Sequence, residues 1–107
     1  MSISSEPQAP ERSPNPDRLS LILFVSAASS VSTRAVVRLR DICDRHCPDG
    51  YDLRVVDIYE EPGEVVSHGV LAVPTLIKEL PLPVQVLIGD FTDEPRVLAA
   101  LGLPAAG

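Results

Sequence analysis

The chain has no long apolar run. Nothing in it approaches the ~20 consecutive apolar residues that a bilayer-spanning helix requires, and the amino terminus lacks the basic start and apolar stretch of a secretory leader. Both absences lead to the expectation of a cytoplasmic protein with no membrane contact. Positive charge is also scarce: 9 Lys and Arg face 15 Asp and Glu, a net charge of -6. Such a chain offers phosphate no attracting field, so nucleic acid is not an expected partner. Cysteine occurs only at Cys43 and Cys47. What is present is a 107-residue chain with 45% hydrophobic residues, enough for one small domain that buries roughly two-thirds of its unfolded surface.

Residues 1-17, MSISSEPQAPERSPNPD, hold four prolines and four serines, with Met1 and Ile3 as the sizeable apolar groups. Too little can be buried there to offset the entropy of ordering, so a disordered tail is expected. The domain is placed at 18-104, followed by a short tail at 105-107. The CDRHC stretch sets Cys43 and Cys47 four apart with His46 between them. On a helix the two thiols are neighbours, but two thiols and one imidazole leave a tetrahedral site one ligand short. The expectation is a buried Cys43, with Cys47 and His46 at a helix end and no metal or cofactor.

Periodicity then supplies the elements. SLILFVS (20-26) reads as a strand covered on both faces. Ser29, Ser30 and Ser32 are candidate N-caps for a helix whose apolar stripe runs through Ala35, Val36, Leu39, Ile42, Cys43 and His46. Asp41 and Arg45 have the spacing of an exposed ion pair, and Pro48-Asp49-Gly50 stops the helix. YDLRVVDIY (51-59) alternates like a strand near a sheet edge. Glu60 to His68, with Pro62 in a first turn, suits a short helix ended by Gly69. Val73 to Leu80 and Val84 to Ile88 form a hairpin around Pro81-Leu82-Pro83, with Pro74 at a strand start, where a sheet accepts proline. Thr92 is expected to cap a last helix carrying Val97, Leu98 and Leu101 on one face, and Gly102 to end it.

The order β-α-β-α-β-β-α resembles the thioredoxin fold, an α/β architecture whose third strand begins at a proline, commonly cis, facing the loop after the first strand. Pro74 in AVPT occupies that place. In a redox enzyme the facing loop carries Cys-x-x-Cys, one thiol to attack and one to resolve. Here it reads SAASSVS (26-32) and holds no thiol, which weighs against a thiol-disulfide oxidoreductase.

More specifically, the chain from about Leu19 to Leu103 resembles the circadian clock protein KaiB family. The similarity lies in LILFVS, STRAVVRLRDIC, LRVVDI followed by Pro62, and above all VLAVPTLIKELPLPVQVLIGDF. The resemblance implies a non-enzymatic binding module that docks a KaiC-type ATPase in a timing system. An adaptor for another signalling or stress-response partner, such as a histidine kinase, is the alternative. It further implies that the second half of the chain can exist in two arrangements, the thioredoxin-like βαβαββα state or a tetrameric βαββααβ ground state, with self-association between monomer and tetramer. Residues so implicated in the exchange are Pro74, Thr75, Pro81, Pro83, Gly89, Asp90, Ala100 and Gly102, and those implicated in partner binding are Asp57, Glu60, Pro62 and Lys78. Glu60, Gln85 and Val86 stand where relatives carry basic residues, so a partner surface built on positive charge is reversed or erased. Alanine and leucine at 97-103 favour a helix over a strand, and the thioredoxin-like state is therefore the expected one.

Overall fold

The computed structural model describes residues 18-104; the tails expected at 1-17 and 105-107 lie outside the described residues. The order is β1 (Ser20–Val25), α1 (Ser30–His46), β2 (Asp52–Asp57), α2 (Pro62–His68), β3 (Thr75–Leu80), β4 (Gln85–Ile88) and α3 (Glu94–Leu101). The strands form one sheet in the order β2-β1-β3-β4. β1 runs parallel to β2, from Ser20 beside Asp52 to Val25 beside Asp57. β3 is antiparallel to β1, and β4 to β3. This is the thioredoxin-like βαβαββα arrangement.

Helix ends follow local chemistry. Ser29 is the N-cap of α1, its hydroxyl accepting the Ser32 N–H, while Arg45 and His46 lie in the last turn near the carbonyl end. α3 is capped by Asp93, whose side chain accepts the Arg96 N–H. Thr92 does not cap it, because Thr92 instead donates both its N–H and its hydroxyl to the Asp90 carboxylate. Gly102, at φ 74°, takes the left-handed turn that ends α3.

The sheet separates two apolar layers because successive strand side chains point to opposite faces. On one face Leu21, Leu23, Val25, Leu76 and Leu87 pack with Ala35, Leu39, Ile42 and Cys43 of α1 and Val97, Leu98 and Leu101 of α3. The smaller layer consists of Ile22, Phe24, Val56 and Ile77, partly covered by Val65 of α2 and by Val70 and Val73. Burying each large side chain contributes about 1.5–3 kcal/mol relative to exposure, so the α1/α3 layer dominates stability. α2 has no fully buried residue. It is held also by an ion pair, Arg54 of β2 donating to Glu64 at 2.6 Å, and by a tilted ring contact of His68 with Phe24 at 5.3 Å.

Candidate functional site

Four segments converge where β1 and β2 finish. The Ile58 N–H donates to the Val25 carbonyl at 3.0 Å, and the Gly89 N–H donates to the Pro74 carbonyl at 3.2 Å. These bonds bring the loop after β1, the turn after β2, the residues before β3 and those after β4 to one end of the sheet. Carboxyl ends of strands in open α/β sheets are where such folds place their ligands.

The loop after β1 is organised by its serines. Ser32, only 1% exposed, accepts the Ser26 N–H at 3.1 Å, and the Ser29 carbonyl accepts the Thr33 hydroxyl. Asp57 reaches across from β2. One carboxylate oxygen accepts the Ala27 N–H at 3.0 Å and the other the Tyr59 N–H at 2.8 Å. Asp57 therefore fastens two loops together, a positioning task that the sequence did not disclose because Ala27 is thirty residues away. Beside it, Glu60, Pro62 and Tyr59 stand exposed at the start of α2.

The proline position resembles that of a redox site. Pro74 is buried just beyond the Phe24–Thr75 pair, and the Val73–Pro74 bond is cis, as are Leu80–Pro81 and Leu82–Pro83. Thr75, also buried, donates its hydroxyl to the Ala72 carbonyl. The loop after β1, at this same end of the sheet, carries hydroxyls and methyls and no sulfur. Cys43 and Cys47 sit at the far end of α1, and burial is the main cause that pushes the Cys43 thiol up to about 12 and raises that of Cys47. Neither supplies a thiolate at neutral pH. Among the described residues, no three His, Cys, Asp or Glu side chains converge as a metal site would need.

After β4 the chain turns sharply. Gly89 has φ 140°, a conformation that side chains disfavour. Asp90 accepts the Thr92 N–H at 3.2 Å and its hydroxyl at 3.0 Å; these bonds hold its carboxyl below the usual range. Arg38 of α1 donates to the Asp90 carbonyl. Phe91 follows at φ 66° and inserts into the α1/α3 core, a position no sequence pattern announced.

The structure therefore gathers Asp57, Glu60, Pro62, Pro74, Thr75, Gly89 and Asp90 at one end. It sets Pro81, Pro83, Lys78 and Gly102 toward the other, with Ala100 on α3 partly buried against the core. The expectation that Lys78 faces a partner is corrected. The chain's one lysine is 4% exposed, and its ammonium lies beside Gly102, at the carbonyl end of α3, where the helix dipole favours a cation.

Fold and site together define a thioredoxin-like module whose loop after β1 holds no thiol. The chain belongs to the KaiB family: the family model described as KaiB domain matches residues 22–103. Among its relatives, the circadian clock protein KaiB3 of Synechocystis sp. is 32% identical over 91 residues, covering 85% of this chain and 89% of that protein. The circadian clock oscillator protein KaiB of Prochlorococcus marinus is 41% identical over 83 residues, covering 78% of this chain and 70% of that protein. The solution structure of the N-terminal domain of Synechococcus elongatus SasA superposes with a TM-score of 0.67 at 28% identity, covering 92% of both chains. The Deadhead thioredoxin of Drosophila melanogaster matches at TM-score 0.66 and 11% identity over 80% of both chains, a likeness of fold alone.

Proposed function

We propose that this protein is a non-enzymatic docking module that binds a KaiC-type ATPase through the end of the sheet at which Asp57, Glu60, Pro62 and Gly89–Asp90 gather. The observation that carries the reading is the thiol-free loop opposite Pro74: the scaffold of a redox site is kept and its reactive atoms are replaced by serines engaged in hydrogen bonds. A loop cluster tied together by side-chain hydrogen bonds and holding no thiol suits recognition better than turnover. Membership of the KaiB family and the likeness to the SasA domain support a clock-related partner. Exposed Tyr59 supplies an aromatic anchor of the kind enriched at binding hot spots, and Glu60 gives the surface an acidic edge.

The test is native mass spectrometry of the protein mixed with the KaiC-type ATPase of its own organism, using wild type, Tyr59→Ala and Glu60→Lys. A stable complex, weakened at least tenfold by Tyr59→Ala, is the expected result. No complex with wild type, together with capture of a different signalling protein such as a histidine kinase, would overturn the assignment of the ATPase. Insulin reduction that disappears on Cys43→Ser or Cys47→Ser would overturn the non-enzymatic reading.

A further inference from the structure

A row of apolar side chains lies bare along the outermost strand. Leu82, Val84, Val86 and Ile88 are 72, 55, 57 and 54% exposed. Val86 pairs with Ile77 and Ile88 with Thr75, which sets the row on the α2 side of the sheet. The apolar layer there ends at Ile77 and includes no β4 residue. Beyond β4 the described residues supply no further strand, so its outward N–H and C=O groups meet no strand partner.

Edge strands of monomeric proteins are ordinarily guarded by a charge, a proline or a bulge. The opposite edge, β2, has such guards in Asp52, Arg54 and Asp57. β4 has none: from Leu80 to Gly89 the chain carries no charged residue, and the prolines lie in the turn ahead of the strand. We propose that β4 pairs with β4 of a second copy of this chain, antiparallel across a two-fold axis, to join two four-stranded sheets into one of eight strands.

Two observations select a second copy as the occupant. The net charge of -6 makes copies repel wherever charged surfaces meet, and this uncharged edge lets two acidic copies approach without that penalty. The strand is also its own complement. Antiparallel pairing centred on Val86 sets Val86 against Val86 of the second copy and Val84 against its Ile88, all on one face, the apolar cross-strand contacts that stabilise sheets. The symmetry is closed, so the assembly stops at two. A four-residue strand and its turn fall below the roughly 1,200 Å² of a stable specific interface, so the dimer is weak and forms at high concentration.

Sedimentation equilibrium across a concentration series tests this with wild type, Val86→Lys and, in a Cys47→Ser background, Val86→Cys or Val37→Cys treated with a short bismaleimide. Val86 and Val37 are both exposed, and circular dichroism checks that each variant folds. The expected result is a monomer–dimer equilibrium, weakened at least tenfold by Val86→Lys, with covalent dimer from Val86→Cys but not from Val37→Cys. A wild type monomeric at every concentration, or association unchanged by Val86→Lys, would overturn the proposal. A peptide from another protein perturbing β4 amide signals while the mass stays monomeric would assign the edge to that partner instead.

Discussion

The turn Gly89–Asp90–Phe91 shows how single residues set the geometry of the end of the sheet where β1 and β2 finish. A Cβ at Gly89 would meet no heavy atom within 4 Å, so Gly89→Ala is opposed by backbone conformation and not by a clash. The expected cost is about 1–3 kcal/mol, read as a lower urea midpoint with an unchanged m-value. A second residue-level link joins α1 to α3: Arg45 donates to both Glu94 oxygens, at 3.1 and 2.6 Å, and also pairs with Asp41 at 3.0 Å. The Arg45–Asp41 pair was legible from its helical spacing. The Arg45–Glu94 pair was not, because its partners lie 49 residues apart and only packing brings them together. Hydrogen bonding from Arg45 lowers the Glu94 carboxyl. A depressed folded value means the contribution is complete above the unfolded carboxylate's value of about 4.3 and is lost as pH falls through the lower folded value. Thermal melts from pH 7 to 2 should therefore show a fall in Tm in acid that is smaller in Glu94→Gln. The thiols make a third prediction at this scale: iodoacetamide at pH 7 should modify Cys47 more slowly than free cysteine and leave Cys43 intact until the protein unfolds, as mass spectrometry will show. Rapid modification of either would contradict the raised values.

Among the elements, α1 was the most legible, since its stripe, serine cap and Pro48-Asp49-Gly50 stop all agree with one another. Its buried Ser32 was not foreseen as a core residue, because a serine in a first turn reads as a cap until Ser26 is seen to donate to it. β3 begins at Thr75 and not at Val73, and β4 at Gln85 and not at Val84. The apolar runs were longer than the hydrogen-bonded strands, and apolarity alone does not mark where pairing stops. The exposure of the β4 row was not legible either: alternating valine and isoleucine mark a strand but do not tell whether a layer covers it, and the α2 layer is too narrow to do so. α3 is the element whose local preference bears most on the fold. Ala100→Gly should lower stability by roughly 1 kcal/mol or more, since glycine costs about that in a helix interior and some core contact is lost as well. Chemical denaturation measures it, and a gain in stability would contradict a helical 94–101.

For the molecule as a whole, the element order was readable because each segment's periodicity, cap and turn residues pointed the same way. The loop cluster at the end of the sheet was less so. Pro74 was placed from its position before a strand, whereas the part played by Asp57 depends on the parallel β1–β2 register, which no local pattern encodes. Lys78 was assigned to a partner surface through the family resemblance, and its burial beside the end of α3 depends on a long-range packing that no local pattern encodes. The loop cluster around Asp57 and the free β4 edge are both described in the βαβαββα arrangement, in which Val97, Leu98 and Leu101 form the buried face of a terminal helix. The most direct test is the backbone chemical shifts of Val97 to Leu101 in the wild-type protein at low concentration. The arrangement described here predicts helical Cα and Cβ shifts across all five residues, whereas strand shifts there, accompanied by a tetramer mass, would contradict it.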